Sequence, residues 1–119
     1  MTLDGALIYL VDSNQIQSPR FSGLVVCCSL PDCSVAIELA KIVYPGAVFN
    51  SGSRRLVFPA GGSLYINCVT CDSDVNKFIS YEFSYIAADQ KLNSMQIKTL
   101  STRLRIKAGL VPVLILFEN

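Results

Sequence analysis

Short apolar runs, separated by polar residues or by glycine and proline, divide most of the chain into predicted β-strands. A strand is predicted where apolar residues are consecutive, or where they alternate with polar residues. In both cases turn residues lie at the two ends of the strand. The predicted strands cover residues 6–11, 21–30, 47–50, 55–59, 63–70, 77–87 and 111–117. Residues 51–53, Ser-Gly-Ser, form the predicted turn between two of these strands.

Residues 33–44 carry the clearest helical pattern, with apolar residues three and four positions apart. Asp32 is the predicted N-cap because its carboxylate can accept the unpaired N–H groups of the first helical turn. The Pro45-Gly46 pair ends the helix. Because only Glu38 and Lys41 are strongly polar within it, we expect this helix to be covered on more than one side.

Residues 94–108 fit two different elements. Apolar residues fall at helical spacing across the segment, and residues 100–108 also alternate as a strand would. The pattern as a whole predicts an α+β domain over residues 1–119. Its sheet is mostly antiparallel with about six strands, the helix 33–44 packs on one face, and 94–108 is the candidate for a second helix.

Composition indicates more apolar surface than a chain of this size can bury alone. Of its 119 residues 51% are hydrophobic and only 16% are charged, and the net charge is +1. We therefore expect a non-catalytic protein–protein interaction or assembly subunit that buries apolar surface in a homo- or hetero-oligomer. The candidate partner-binding residues lie on two apolar strands and are Ile79, Tyr81, Phe83, Tyr85, Val113, Ile115 and Phe117.

The residue types needed for common catalytic chemistry are scarce. The sequence has no histidine, which removes Ser-His and Cys-His nucleophile pairs and the usual general base near neutral pH. The nucleotide-binding and hydrolase motifs rich in glycine are absent as well. We expect no enzyme activity, no catalytic residues, no cofactor and no bound metal.

Five cysteines leave one alternative function open, a small thiol or zinc domain. Cys68 and Cys71 form a C-x-x-C pair, and Cys28 with Cys33 could complete four zinc ligands. The β-branched residues between Cys68 and Cys71 are typical of a strand rather than a metal-binding turn. Burial of the thiols in the core is therefore the favoured interpretation.

A run of basic residues supports a second alternative, a nucleic-acid-associated module or a module that binds an acidic protein. The segment 91–107 contains no acidic residue. Its bases are Lys91, Lys98, Arg103, Arg105 and Lys107. The net charge of +1 limits the strength of nucleic-acid binding that this segment could provide.

The apolar content is not typical of a membrane span. The longest apolar run, residues 110–117, is far shorter than the ~20 residues that cross a bilayer. The first residues lack the basic stretch of a secretory signal. We therefore expect an intracellular protein in a reducing compartment, the cytoplasm or nucleus.

The order of predicted elements resembles one half of a sliding-clamp subunit. The resemblance covers most of the chain from Phe21 and includes a helix ending near Tyr44 and a terminal hairpin over 103–118. It implies a largely antiparallel sheet and a helix that faces DNA. The helix here carries a single base, Lys41, and the duplicated second half is missing. No site residues are carried over from that family.

Overall fold

A computed structural model describes residues 1–106 and 109–118 of the chain. The chain contains both helices and strands, and the strands form one six-stranded sheet. In chain order the elements are α1 (Leu3–Asp12), a 3₁₀ helix (Gln15–Gln17), β1 (Ser22–Cys27), α2 (Leu30–Val43), β2 (Val48–Asn50), β3 (Arg55–Val57), β4 (Ser63–Cys68), a second 3₁₀ helix (Asp72–Phe78), β5 (Tyr85–Asp89), α3 (Ser94–Ser101) and β6 (Val113–Phe117).

The sheet is mixed, with the strand order β2-β3-β4-β1-β5-β6. β1 pairs in parallel with β4 and β5, and β6 pairs in parallel with β5. Only β2, β3 and β4 pair in the antiparallel sense. The prediction of helices combined with a six-stranded sheet is confirmed. The prediction of a mostly antiparallel sheet is wrong, because three of the five neighbouring pairs are parallel. Parallel strands need a crossover connection, such as α3 between β5 and β6.

Hydrophobic side chains fill both faces of the sheet. α1 and α2 pack on one face, and the 3₁₀ helix Asp72–Phe78 and α3 pack on the other. On β1, Val25 belongs to the first core while Leu24 and Val26 belong to the second. A strand buried on both faces has continuous rather than alternating apolar residues, which is the pattern of β1.

The strand predicted over residues 6–11 is wrong, because this segment belongs to the helix α1. Its buried residues include Leu3, Leu7 and Leu10, which follow the spacing of one helical stripe. The Thr2 hydroxyl accepts a hydrogen bond from the Gly5 N–H at 3.2 Å and caps the first turn. A short run of apolar residues does not by itself distinguish a buried strand from part of a helix.

The helix predicted over 33–44 is confirmed as α2, but it begins three residues earlier. Ser29 is the N-cap, and its hydroxyl accepts a hydrogen bond from the Asp32 N–H at 3.2 Å. Asp32 lies in the first turn, so its prediction as the N-cap is wrong. A carboxylate in this position still interacts favourably with the helix dipole.

The strand predicted over 77–87 is wrong for most of its length. The segment begins at the end of the 3₁₀ helix, continues as a loop, and becomes strand β5 only at Tyr85. Phe83 forms an isolated parallel bridge with Leu104. β5 lies between β1 and β6, so it is a central strand and not the half-exposed strand that the alternating pattern predicts.

In the ambiguous segment 94–108, the helical interpretation is confirmed for residues 94–101, which form α3. Among residues 94–106, strand-like pairing consists of the bridge at Leu104. Lys107 and Ala108 lie outside the described residues.

The strands predicted over 21–30, 47–50, 55–59, 63–70 and 111–117 are confirmed in shorter form as β1, β2, β3, β4 and β6. β6 pairs in parallel with β5, so the terminal hairpin expected from the sliding-clamp resemblance is wrong. Among the described residues, none of the helices has the length and apolar character required to cross a bilayer.

Candidate interaction surface

The two apolar strands proposed as partner-binding elements contribute mainly to the core. Phe83, Tyr85 and Phe117 are fully buried, and the Tyr85 hydroxyl donates a hydrogen bond to the Ala6 carbonyl of α1. These three side chains are therefore inaccessible to a partner in this fold.

The other four candidates differ in exposure. Val113 and Ile115 are half-buried against the core beneath α1 and α2. Ile79 and Tyr81 are exposed in the loop that precedes β5. Residues 79–85 therefore contribute two accessible side chains but no edge strand. The edge strand on this side of the described sheet is β6.

The basic residues of the segment 91–107 do not share one surface. Lys91 follows β5 at the carboxyl edge of the parallel strands, and Lys98 lies on α3. Arg103 and Arg105 flank Leu104 at the amino end of β5, where Leu104 bridges Phe83. Only these two arginines lie together as the strand interpretation predicts; Lys107 lies outside the described residues.

α1 and α2 lie side by side and leave a groove along their outer surface. At one end Leu3, Val35 and Leu39 line a cavity of about 390 Å³. At the other end Val11 and Val43 line a second cavity of about 240 Å³. The second cavity is also lined by the loop after α2 and by Phe58 and Pro59, so it extends beyond the two helices.

The outward stripes of both helices carry large apolar residues. On α1, Ile8 and Val11 are 46% and 43% exposed, and on α2, Val35 and Ile42 are 64% and 76% exposed. The outer face of a surface helix is normally polar. These exposed apolar side chains make the two helices the candidate interaction surface. We call this set of four residues the α1–α2 face.

Three carboxylates lie at one end of the α1–α2 face. Asp4 of α1, Asp32 of α2 and Glu118 after β6 line the larger cavity, and among the described residues that line it there is no lysine or arginine. The face therefore has three carboxylates at one end.

The thiols occupy positions suited to packing rather than to catalysis. Cys27, Cys33 and Cys68 are buried in the core beneath α1 and α2, and the Arg54 guanidinium donates to Cys33 Sγ at 3.0 Å. Burial raises the pKa of the Cys27 thiol far above its ordinary value, and burial also raises the pKa of Cys33 despite the nearby Arg54. A thiol that remains protonated at neutral pH is a poor nucleophile.

The C-x-x-C pair is divided between core and surface. Cys68 is buried at the end of β4, whereas Cys71 is exposed and its Sγ lies 3.3 Å from Ser73 Oγ. Within residues 1–106 and 109–118, no three histidine, cysteine or acidic side chains are grouped as a metal site requires. The geometry gives the thiol and zinc alternative no support.

The carboxyl ends of the parallel strands, where α/β sheets commonly bind ligands, include Asp89 and the thiol of Cys28 among the described residues. Asp89 is fully buried there, and its carboxylate accepts a hydrogen bond from the Lys91 N–H at 2.9 Å. Burial and the Asp89 carboxylate raise the pKa of the neighbouring Cys28 thiol. This edge therefore holds a thiol with suppressed, not enhanced, reactivity.

The sequence pattern does not single out the α1–α2 face as a candidate interaction surface. The available signal was the scarcity of polar residues in α2, from which we expect additional cover on that helix. The prediction of a strand over residues 6–11 meant that the contribution of α1 to this face was missed. Comparison with protein-family models, with curated proteins and with solved structures finds no match to this chain.

Proposed function

We propose that this chain is a non-catalytic assembly subunit that forms a homodimer through the α1–α2 face. The observation that supports the proposal is the exposure of four large apolar side chains on two adjacent helices. The low fraction of charged residues and the net charge of +1 mean that little electrostatic repulsion opposes contact between two copies.

The size of the face is consistent with a modest affinity. α2 has 14 residues, which corresponds to a length of about 21 Å, and two adjacent helices are about 20 Å wide. A contact of this size lies at the lower end of specific protein interfaces. We therefore expect a dimer with a dissociation constant in the micromolar range.

The charge distribution favours an antiparallel arrangement of the two copies. In a parallel arrangement the carboxylates of Asp4, Asp32 and Glu118 would face the same groups of the second copy. Like charges brought together at an interface are unfavourable. In an antiparallel dimer the helices of the two copies run in opposite directions. The three carboxylates of each copy then lie against the opposite end of the partner's α1–α2 face.

The experiment compares two matched valine substitutions by size-exclusion chromatography with light scattering over a range of concentrations. Val35→Glu places a charge on the α1–α2 face. Val48→Glu places the same charge on β2, where the valine is 70% exposed and lies outside that face. Glutamate has a higher helix propensity than valine, so Val35→Glu is not expected to weaken α2 itself.

We expect the unmodified chain and Val48→Glu to dimerise with similar affinity and Val35→Glu to be monomeric. Circular dichroism checks that both variants retain the fold. The proposal would be overturned if the unmodified chain were monomeric, or if Val35→Glu and Val48→Glu weakened the dimer to the same extent.

A further inference from the structure

One corner of the sheet combines aromatic and basic side chains on the face opposite α1 and α2. Arg55 of β3 is paired with Tyr65 of β4, and Asn50 of β2 is paired with Arg55. α3 contacts β5 and the 3₁₀ helix Asp72–Phe78, and β5 lies on the other side of β1 from this corner. The side chains of Arg55 and Tyr65 are only partly buried as a result.

The Arg55 guanidinium is held against an aromatic ring and is not neutralised by an acid. Its central carbon lies 5.9 Å from the centre of the Tyr65 ring, and Nη1 is 3.4 Å from the Tyr65 hydroxyl. Its buried Nε has no hydrogen-bond partner within the described structure. Neither ion pair found among the described residues involves Arg55. The group is therefore both charged and short of acceptors.

A second, more exposed ring extends this surface. The Tyr81 ring is 39% exposed, and its centre lies 5.4 Å from that of Tyr65 at an interplanar angle of 79°. Phe78 and Phe83 pack behind these rings and support them. Exposed aromatic rings held in place by a core are the platforms on which unpaired nucleobases stack.

Two further arginines lie beyond Tyr81. The Arg103 guanidinium donates to the carbonyl of Ile79, and Arg105 Nε lies 3.6 Å from the Glu82 carboxylate. Most acidic residues lie instead near the carboxyl edge of the parallel strands, where Asp4, Asp32, Asp72, Asp74, Asp89 and Glu118 are found. Bases and aromatic rings thus share a surface that contains few carboxylates.

We propose that single-stranded nucleic acid binds along this aromatic–basic strip, which consists of Arg55, Tyr65, Tyr81, Arg103 and Arg105. Unpaired bases stack on the exposed Tyr81 ring, which Tyr65 supports, and the arginines contact the phosphates. Duplex bases are already stacked and do not reach the rings. The strip lies on the opposite face of the sheet from the α1–α2 face, so this proposal stands independently of dimer formation.

The experiment measures fluorescence anisotropy of a labelled 12-nucleotide oligo-uridine and of a duplex RNA of equal length at low salt. Tyr81→Ala removes the exposed ring, and Tyr81→Phe retains it. Arg105→Ser removes a base from the strip. Lys91→Ser is the matched control, because it removes an exposed base of the same segment at the other edge of the sheet.

We expect saturable binding of the single strand in the micromolar range and weaker binding of the duplex. Tyr81→Ala should weaken binding at least about fivefold, and Tyr81→Phe should bind more tightly than Tyr81→Ala. Arg105→Ser should weaken binding and reduce the salt dependence, by about 0.7 in the slope of log K against log salt. Lys91→Ser should bind like the unmodified chain.

Three results would overturn the proposal. They are the absence of binding up to about 100 μM protein, equal affinity for duplex and single strand, and equal losses for Lys91→Ser and Arg105→Ser. Equal affinities for the two RNAs, or equal losses for the two variants, would indicate non-specific electrostatic binding. Thermal unfolding of each variant shows whether the fold is retained.

Discussion

Three buried groups that must remain protonated make the fold sensitive to alkaline conditions. Cys27 lies at the end of β1 beneath α2. The Tyr44 and Tyr85 hydroxyls donate to the Leu7 and Ala6 carbonyls of α1. Burial raises the pKa of all three groups far above their ordinary values of 9.0 for the thiol and 10.0 for the phenols.

The sign of the effect follows from the raised pKa values. In the unfolded chain these groups lose their protons near their ordinary pKa, whereas in the folded chain they retain them. Their contribution to stability is therefore fully present below about pH 9 and is lost as the pH rises above it. Each group loses about 1.4 kcal/mol for each pH unit above its ordinary value.

The size of the loss can be worked out at pH 11. That pH is two units above the ordinary pKa of Cys27 and one unit above that of each tyrosine. The three groups together lose about 5 kcal/mol of unfolding free energy. A typical domain has only about 5–15 kcal/mol in total, so the chain should be close to unfolding.

The assay is urea denaturation followed by circular dichroism at about pH 8, 9, 10 and 11. We expect the unfolding free energy to fall with increasing steepness across this range. Tyr85→Phe removes one titrating group and should make the fall shallower, although it also loses one buried hydrogen bond. An unfolding free energy that stays constant from pH 8 to pH 11 would refute the placement of these groups in the core.

Three further changes test other parts of the structure. Hydrogen bonds from Thr70 hold the pKa of the Asp74 carboxyl at about 2, so the stability that this carboxylate contributes disappears as the pH falls through that value. Asp74→Asn should therefore flatten the loss of stability between about pH 4 and pH 2. Acid titration followed by circular dichroism measures this loss. Gly62→Ala should destabilise the fold by about 1–3 kcal/mol in urea denaturation, because the added Cβ would lie 2.8 Å from Phe21 Cβ. Leu7→Ala should cost about 2–5 kcal/mol in the same assay if α1 is part of the core, whereas a peripheral α1 would make the cost negligible.

The sequence was most informative where one local rule determines the structure. The Ser-Gly-Ser turn predicts the β2–β3 hairpin, and the Pro45-Gly46 pair predicts the end of α2. Both features depend on residues within a few positions of each other. The local sequence pattern therefore predicted α2 and the strands β1, β2, β3, β4 and β6.

The failures arose where the partner of a segment is distant in the chain. Residues 6–11 are apolar enough for a strand or a helix, and they become helical because their buried stripe packs against α2 and the sheet. Apolar and polar residues alternate within the strand predicted over 77–87, a pattern typical of a half-buried strand, but Tyr85 begins a strand that is buried throughout. Parallel pairing also depends on crossovers that local periodicity does not report.

The position of the candidate surface was not predicted from the sequence. Composition alone indicated excess apolar surface, and the structure shows exposed apolar side chains on α1 and α2. Four of the seven residues named from the sequence are exposed or half-buried, and the other three are fully buried. Strand periodicity identified apolar residues but could not show which of them face the core.

The most direct test of self-association is the concentration dependence of the molar mass of the unmodified chain, measured by light scattering. A single chain has a mass of 13.0 kDa. Self-association through the α1–α2 face predicts a molar mass that rises toward twice this value as concentration increases through the micromolar range. A mass that stays at the single-chain value up to millimolar concentration would contradict it.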